Sequence, residues 1–519
     1  MVHLSTLDYV AIATYFLITA LIGARVARGK TTTEDLFLAG RTLGPLAVGF
    51  SLFAANVSSD TLIGLPGAAY RTGISAANYE WMAGVVLIFT ALFVLPVLMR
   101  ARVTTMPELM ERRFDPRLRK YLSGVTLFLS IVLDTAGSLY AGALIITTFI
   151  PGLTLWETTL IVAVFTGIYT AAGGLRAVVY TDVMQAIVLL VGSAVLSITV
   201  FGKFGYSWHN VVKAVHPDKL SLIRPIGAPG VPWLGLITGL PIVGFYYWTM
   251  NQYVVQRILG ARDISSAGRA SIIAASLKLL PLFLMTLPGA MASVLLPGLK
   301  DPDQVFPTMV EKFIPAGLTG LIVAGLIAAL MSTCSATLNS AATLVTVDFI
   351  QPRKPDMSQA QLARAGRFIT MIITLLAALW APMIQHFQGL WAYLQQVFAF
   401  VASPLVATFL FGLWSKRLGP SAALRGLISG HVFSALLFVA YALHWVHIHF
   451  TIIAGVVFAA TAIFTWAWMR VLDARDRPAS DDAHLAVIAH EGLERVPRDV
   501  LWAAAGVLAA TAAIIVTFW

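Results

Sequence analysis

The residues best suited to chemistry interrupt a stretch, residues 44–73, that otherwise resembles a membrane span. Residues 56–61 read Asn-Val-Ser-Ser-Asp-Thr, and Gly64, Pro66 and Gly67 follow. Hydrocarbon tolerates a polar, glycine- and proline-rich backbone only where that backbone faces protein or water. An unwound segment exposes carbonyl and amide groups that can coordinate a cation or a polar solute at bilayer depth. The interruption therefore predicts a buried site of that kind.

A second chemical signal is a run of hydroxyl groups in an apolar helix, at residues 332–340, which read Ser-Thr-Cys-Ser-Ala-Thr-Leu-Asn-Ser. Small hydroxylated residues also pack membrane helices together, so packing alone is one explanation. A hard cation such as sodium, however, needs several oxygens in one small shell. The hydroxyls of Ser332 and Thr333, with freed carbonyls of the broken span, would supply them without net charge. Asp182 could add negative charge just outside that shell.

Ionisable residues inside predicted spans are costly there and are functional candidates by default. They are Asp60, Glu80, Asp134, Asp182 and Lys278. Glu80 is either an interfacial acid at a helix start or an acceptor for the hydroxyls of a solute. Lys278, alone among Ile, Leu and Pro, is a candidate partner for Glu80, and the alternative is a structural salt bridge between two helices.

The elements that must position these residues are apolar helices. Of the 519 residues, 58% are hydrophobic and 12% charged, against about 25% charged in ordinary soluble domains. A span needs roughly 20 apolar residues, and the chain is predicted to be an all-α polytopic membrane protein with fourteen transmembrane helices. The predicted spans are residues 6–26, 44–71, 78–99, 121–150, 154–173, 177–202, 232–257, 267–296, 315–348, 362–383, 387–412, 420–444, 448–470 and 500–518.

The distribution of Lys and Arg predicts the orientation, because basic loops stay on the cytoplasmic side. With the N-terminus outside, most of the 35 basic residues, Arg113 and Arg257 among them, fall in connections on one side. Both termini are therefore predicted on the extracytoplasmic side of the cell membrane. The net charge of +10 is explained by this topology, so no nucleic-acid partner is expected. The single cysteine, Cys334, excludes an intrachain disulfide.

The interruption in the second predicted helix has a counterpart in the seventh, where glycines and Pro241 precede the run Phe-Tyr-Tyr-Trp-Thr-Met-Asn-Gln at residues 245–252. Paired discontinuous helices in corresponding positions indicate an inverted repeat, here five helices plus five, of the LeuT type. The prediction is a single transmembrane domain over residues 1–519, with a first repeat at 44–202, a second at 232–412, and peripheral helices at 6–26 and 420–518.

Several strings of residues resemble the sodium/solute symporter family. They are 54–58 (Ala-Ala-Asn-Val-Ser), 77–82 (Ala-Asn-Tyr-Glu-Trp-Met), 105–109 (Thr-Met-Pro-Glu-Leu) with Arg113-Phe114, 169–182 (Tyr-Thr-Ala-Ala-Gly-Gly-Leu-Arg-Ala-Val-Val-Tyr-Thr-Asp), Tyr247-Trp248 with Asn251-Gln252, 278–281 (Lys-Leu-Leu-Pro) and the hydroxyl run 332–340. They extend from the second predicted helix to the ninth, well over half of the chain. The Tyr-Glu-Trp, Tyr-Trp and Lys positions resemble the sodium/glucose cotransporter branch more than the proline branch.

The resemblance implies two sites. For sodium it implies the carbonyls of Ala54, Val57 and Ala329 and the hydroxyls of Ser332 and Thr333, with Asp182 nearby. For a sugar it implies hydrogen bonds from Asn56, Glu80, Lys278 and Gln396 and an aromatic gate at Tyr247, followed by Trp248, while Tyr79 and Thr61 complete the predicted solute set. Thr61 and Gly244 depart from the pattern, because sugar-transporting relatives have amides there.

Together these features predict a sodium-coupled secondary active symporter that imports a sugar or sugar-like polyol by alternating access. The alternative is import of an organic anion, such as a sialic acid or a carboxylate, with Lys278 or Arg71 as counter-charge. No enzyme is expected, since the histidine group at His444, His447 and His449 has no carboxylate nearby in sequence to complete a metal or catalytic site. The expected partners are the small solute, sodium and the lipid bilayer, and no oligomeric state is predicted.

Overall fold

Helices make up nearly all of the regular structure in the computed structural model, which describes residues 5–26, 39–149, 152–172, 175–472 and 497–519. In the first half of the chain they are α1 (Thr6–Val26), α2 (Pro45–Asn56), α3 (Ser59–Thr72), α4 (Asn78–Phe89), α5 (Leu95–Ala101), α6 (Met106–Arg113), α7 (Pro116–Leu129), α8 (Ala136–Phe149), α9 (Leu155–Ala172), α10 (Leu175–Gly202) and α11 (Trp208–Ala214).

The second half begins with the other interrupted helix. Its helices are α12 (Trp233–Phe245), α13 (Gln252–Leu259), α14 (Ile264–Leu277), α15 (Leu287–Leu295), α16 (Val305–Phe313), α17 (Leu318–Thr343), α18 (Gln359–Trp380), α19 (Leu390–Val397), α20 (Ser403–Trp414), α21 (Pro420–Ala442), α22 (Phe450–Leu472) and α23 (Arg498–Thr517).

Many of these helices are long enough to cross a membrane. Within the described residues, ten helical stretches are long and apolar enough to cross a membrane, or eleven if the bent pair α2–α3 is one span. The all-helical, multi-spanning class predicted from composition is confirmed. This count is lower than the fourteen predicted spans.

The first interruption is real but narrower than the sequence suggested. Helix α2 ends at Asn56, Val57 has φ −77° and ψ 61°, and Ser58 is extended. The axis then turns by 55° into α3. Because a helix end leaves its last carbonyl groups without the amides of a following turn, this kink leaves carbonyl oxygens of α2 free for another partner.

The glycines and proline after the break do not extend it. Gly64, Pro66 and Gly67 all lie inside α3, where they permit close packing. A Cβ atom added to Gly67 would lie 2.4 Å from the carbonyl oxygen of Pro302, and one added to Gly289 would lie 2.4 Å from that of Pro66. The composition of this segment therefore reflects helix contacts rather than unwound backbone.

The second interruption lies at Asn251. The backbone there is extended, with ψ 121°, between a π turn at Tyr246–Met250 and α13. Other π turns within described helices include Ser130–Thr135 and Phe398–Ala402. A π turn redirects side chains within a helix and is often found at functional sites. These three turns all contribute residues to the cavity described below.

Two arginines assigned from sequence to cytoplasmic connections are buried instead. Arg113 and Arg257 are 1% and 0% exposed. Arg113 donates from Nε to the carbonyl oxygen of Gly412 at 2.9 Å and from Nη2 to that of Ser415 at 2.6 Å, which ties α6 to the end of α20. A count of charges along the sequence could not separate such structural arginines from those that face the cytoplasm.

Candidate functional site

A small cavity of about 70 Å³ lies where the two interrupted helices meet. Its polar lining comes from Asn56, Ser58, Asp60 and Thr61 at the first break, Tyr79 and Glu80 at the start of α4, Asp134 in a π turn, and Gln395 in α19. Its aromatic lining comes from Tyr247, Trp248, Tyr253, Trp391 and Phe398. This central cavity thus combines hydrogen-bonding groups with ring faces, as sites for small polar solutes do.

Three buried polar atoms of the central cavity have no hydrogen-bond partner among the residues that the structure describes. They are Asn56 Oδ1, Tyr79 Oη and Trp391 Nε1. A buried polar group left without a partner costs about 1 to 3 kcal/mol. Such atoms are therefore expected to be satisfied by what enters the cavity.

Glu80 and Lys278 form a buried ion pair beside this cavity. Lys278 Nζ donates to Glu80 Oε2 at 2.5 Å, and the two side chains are 0% and 4% exposed. The ammonium also lies 5.2 Å from the ring centroid of Trp248 and 5.6 Å from that of Phe53. Glu80 lines the cavity, whereas Lys278 is not among its described lining residues. The pairing suggested by sequence is therefore present, with the lysine one layer behind the glutamate.

Tyr247 is held in place by neighbouring rings. Its hydroxyl lies 2.5 Å from that of Tyr253, and its ring contacts Trp248 and Phe398 edge to face at 5.1 and 6.0 Å between centroids. Edge-to-face contacts of this kind favour a fixed ring orientation. The predicted aromatic gate residue therefore presents an ordered ring to the cavity.

The two positions that depart from the family pattern both lie at the central cavity. The hydroxyl of Thr61 donates to the carbonyl oxygen of Asn56 at 2.5 Å, so it stabilises the break rather than pointing a free donor at the cavity. Gly244 lines the cavity without a side chain, and a Cβ there would lie 3.3 Å from Val86. Neither Thr61 nor Gly244 supplies a side-chain amide to the wall.

A second cavity, of about 170 Å³, lies next to the first and is called the outer cavity below. Tyr79 and Trp391 line both cavities and pack edge to face, with centroids 5.6 Å apart. Gln396, predicted as a solute ligand, lines this outer cavity, whereas its neighbour Gln395 lines the central one. Arg71 also lines the outer cavity and donates to the carbonyl oxygen of Gln388 at 2.6 Å.

One predicted sodium ligand, Ser332, is hydrogen-bonded to Asp182 on α10. Ser332 Oγ donates to Asp182 Oδ1, and Ser51 Oγ donates to Oδ2 at 2.6 Å. Arg257 Nη2 donates to Oδ2 at 3.1 Å and Arg257 Nε to Ser51 Oγ at 2.9 Å. Ser332 therefore does not stand free for a cation in this arrangement, because its hydroxyl is bonded to the carboxylate.

The other predicted sodium ligands lie on helices that pack against each other, or at the break between α2 and α3. Ala54, Val57, Ala329 and Thr333 are all buried, and α17 packs against both halves of the broken helix. The end of α2 leaves carbonyl oxygens without following helical amides. Neutral oxygens beside a carboxylate fit a hard monovalent cation by their chemistry.

Sequence reasoning missed several residues that the structure places at these sites. Arg257 and Ser51 complete the Asp182 network, and Trp391 and Gln395 line the central cavity. Trp391 and Gln395 carry no distinctive local pattern, and Arg257 was assigned to a loop. The one usable signal was Asp134, which was recognised as an intramembrane acid but given no role.

One member of the histidine group, His449, is hydrogen-bonded to a neighbouring hydroxyl. His449 Nδ1 lies 2.7 Å from Thr451 Oγ1, and His449 lines the outer cavity. Across the described part of the chain, no group of three or more His, Cys, Asp or Glu residues could hold a metal ion.

Comparison with known proteins identifies the family. The model of the sodium:solute symporter family matches residues 36–430. The chain is 33% identical over 465 residues to a sodium/glucose cotransporter of Vibrio parahaemolyticus, covering 84% of this chain and 85% of the relative. It is 32% identical over 481 residues to a sodium/mannose cotransporter of Bos taurus, covering 85% and 80%.

Solved structures agree on the fold. A sodium-coupled sialic acid symporter superposes with a TM-score of 0.77 at 22% identity, covering 90% of this chain and 98% of the other. A transporter of the nucleobase-cation-symport-1 family, Mhp1, gives a TM-score of 0.57 at 16% identity, covering 86% and 97%. With the family match over most of the chain, these findings show that the protein is a multi-pass membrane protein of the sodium:solute symporter family.

Proposed function

We propose that this sodium-coupled symporter imports a sugar or a sugar-like polyol by alternating access, with the solute held in the central cavity. The single observation that carries the proposal is the set of unpaired buried atoms on Asn56, Tyr79 and Trp391. Two of them belong to groups that can exchange hydrogen bonds with hydroxyls, and the third is an indole donor. Relatives that are named as sodium/glucose, sodium/mannose and sodium/myo-inositol cotransporters support the same class of solute.

The proposed roles of the solute residues follow from their surroundings. Asn56, Tyr79 and Glu80 would bond the solute hydroxyls, and Lys278 would act through Glu80 by fixing the position of that carboxylate. Tyr247 and Trp248 would provide the ring faces. Gln396 and Thr61 would contribute least in this arrangement, because Gln396 lines the outer cavity and the Thr61 hydroxyl is bonded to the backbone.

Sodium is proposed to bind between the end of α2 and α17. The carbonyls of Ala54, Val57 and Ala329 and the hydroxyls of Ser332 and Thr333 would supply oxygens, with Asp182 adding negative charge. The affinity for sodium must differ between the outward-open and inward-open forms, because a cation that binds both forms equally well cannot shift the equilibrium between them. Release of Ser332 from Asp182 is the local change that we expect sodium to bring about.

The finer architecture belongs to the same proposal. We infer fourteen transmembrane helices, a five-plus-five repeat over residues 44–202 and 232–412, and both termini on the extracytoplasmic side of the membrane. Basic residues segregate as that topology requires. The two breaks at Val57 and Asn251 also occupy corresponding positions in the two proposed repeats.

The organic-anion alternative receives less support from the site. Asp60, Glu80 and Asp134 all line the central cavity. Lys278 is paired with Glu80, and Arg71 lies at the outer cavity. An anion would therefore meet carboxylates rather than a free basic side chain.

The test is uptake of a panel of labelled sugars into proteoliposomes, with and without an inward sodium gradient. A matched pair of variants locates the site. Trp391→Phe removes the unpaired indole donor together with part of the ring and should raise the KM severalfold, up to about tenfold. Trp468→Phe, whose Nε1 donates to Ser429 at 3.2 Å on peripheral helices, should not. Gradient-independent uptake would exclude symport, and an unchanged KM in Trp391→Phe would exclude this cavity as the solute site.

A further inference from the structure

The central cavity has an unbalanced charge. Asp60, Glu80 and Asp134 line it, and its described lining includes no basic side chain. Lys278 balances Glu80 from behind. Buried carboxylates are expected to be paired with a cation or a proton, because an isolated buried charge is very costly. Two acids in this wall, Asp60 and Asp134, therefore need either a proton or a cation as partner.

These two acids line the same cavity. Ser138 Oγ donates to Asp60 at 3.1 Å. Ser138 follows Asp134 by four residues, in the continuous segment formed by the π turn at Ser130–Thr135 and α8. A Cβ added to Gly137 would also lie 3.6 Å from Asp60 Oδ2. One group entering the cavity can therefore approach both carboxylates.

Their other contacts leave acceptor capacity. Asp60 accepts from Ser59 at 3.2 Å and from Ser138, and Asp134 accepts from the side-chain amide of Asn251 at 3.4 Å. An ionised carboxylate offers about four lone-pair positions. Hydroxyl and amide donors stabilise the two charges but neutralise neither.

A separate observation points to a ligand at this place. Trp391 is only 8% exposed and lines the same cavity, and its Nε1 has no partner in the described part of the chain. The walls also include the rings of Tyr247, Tyr253 and Phe398. Ring faces together with carboxylates are the surroundings that attract an organic ammonium group.

We propose that Asp60 and Asp134 bind a protonated amine on the solute, so that the preferred substrate is an amino sugar or an aminated polyol. This inference rests on the proposed function and names its substrate class. The ammonium would donate to both carboxylates, while the hydroxyls of the solute would pair with Asn56, Tyr79 and Trp391.

An amine accounts for these contacts better than a second sodium ion does. A sodium shell is built from several oxygens, whereas the nearest groups recorded around the two carboxylates donate hydrogens to them. An ammonium needs only acceptors and ring faces. The acids also line the cavity that the solute itself would occupy.

Equilibrium binding to the purified full-length protein at saturating sodium tests the proposal without any effect of membrane potential. Labelled D-glucosamine is displaced by unlabelled D-glucosamine, D-glucose or N-acetyl-D-glucosamine, which share a pyranose ring but differ in charge. D-glucosamine should bind at least about tenfold more tightly than either neutral sugar, since it gains charge-assisted hydrogen bonds. Equal or tighter binding of the neutral sugars would overturn the proposal without any variant being needed.

Variants then assign the effect to the two acids. Asp134→Asn, with Asp60→Asn as a second variant, should weaken D-glucosamine binding at least about tenfold and leave D-glucose within about threefold. Asp218→Asn, a change to an exposed carboxylate in a loop, should leave both unchanged. Equal weakening of both sugars in either cavity variant, or a change in sodium dependence without a change in sugar preference, overturns the amine assignment.

Uptake separates this proposal from the one on which it rests. Sodium-driven uptake of neutral sugars with no preference for D-glucosamine overturns the amine site and leaves the proposed function standing. Failure of every sugar to show sodium-driven uptake overturns both.

Discussion

Two buried ion pairs, one beside each proposed site, are constructed differently. Glu80 meets Lys278 through one oxygen, Oε2, in a simple pair backed by an aromatic ring. Asp182 engages both oxygens, with Ser332 on Oδ1 and with Ser51 and Arg257 on Oδ2. The first arrangement leaves a cavity-facing carboxylate with room for hydroxyl donors. The second is a closed network that must open before Ser332 can serve a cation.

The largest expected effect comes from removing one partner of the closed network. Arg257→Met leaves Asp182 buried without its cation, and breaking a buried pair in this way costs roughly 3 to 5 kcal/mol. The measurement is unfolding of the purified protein in detergent. The matched control is the double variant Asp182→Asn with Arg257→Met, which leaves no uncompensated charge and should recover much of the loss. A single variant as stable as the double variant would contradict a tightly coupled pair.

The pair formed by Glu80 and Lys278 is expected to affect the affinity for the solute. Glu80→Gln keeps the shape of the side chain but weakens its bonds to solute hydroxyls and leaves Lys278 unpaired. Because hydrogen bonds to charged groups contribute about 1.5 to 3 kcal/mol, the KM for the solute should rise roughly ten- to a hundredfold. The sodium concentration for half-maximal uptake should change far less. A larger effect on sodium than on the solute would reverse the assignment of the two pairs.

Ser332→Ala should weaken the binding of sodium rather than the binding of the solute. Loss of one oxygen ligand should raise the sodium concentration for half-maximal uptake by about tenfold, the value of roughly one hydrogen bond to a charged group. Ser340→Ala is the matched control, since Ser340 lies on the same helix, is 1% exposed and has no recorded partner for its hydroxyl. Thr333→Ala should resemble Ser332→Ala. Unchanged sodium dependence in both would remove the cation site from α17.

A third carboxylate, in the loop before α16, extends the comparison to the outer cavity and has the smallest expected effect. Asp303 accepts from the backbone amide of Leu390 at 2.9 Å and from Tyr140 Oη at 3.3 Å. Burial, reinforced by the nearby charge of Asp301, raises the pKa of Asp303 to about 7. The packed form therefore binds a proton more strongly than a hydrated form with a pKa near 3.8. Protonation of Asp303 therefore stabilises the packed form fully at a pH below about 3.8. This stabilisation is lost as the pH rises through about 7.

Opening of the outer cavity should accordingly become severalfold easier between pH 6 and pH 8. Labelling of a cysteine introduced at Ala392, which lines that cavity, measures the opening, because the native Cys334 is buried. Asp303→Asn should flatten the pH profile. A profile that is equally steep in the variant would show that another group is responsible.

Parts of this site can be predicted from the sequence, because a polar or charged residue inside an apolar span is unfavourable wherever the span packs. Polar residues 56–61 within an apolar span can only be buried at a site, so the first break was predicted, although its unwound part is confined to Val57 and Ser58. Lys278 stood alone in an apolar helix, so an acidic partner was expected and Glu80 is that partner. Gln396 and Gln395 show the limit, because adjacent residues on a helix face different cavities and sequence does not say which.

By itself the sequence determined the class of protein, the two interrupted helices and the intramembrane acids, because hydrocarbon excludes polar groups and each exception is visible one residue at a time. Only the tertiary structure decided which groups meet. Asp182 and Arg257 are 75 residues apart, and Glu80 and Lys278 are 198 apart. Whether an arginine faces the cytoplasm or neutralises a buried acid depends on how its helix packs. Charge balance in the cavity, on which the substrate class depends, is therefore a property of the fold.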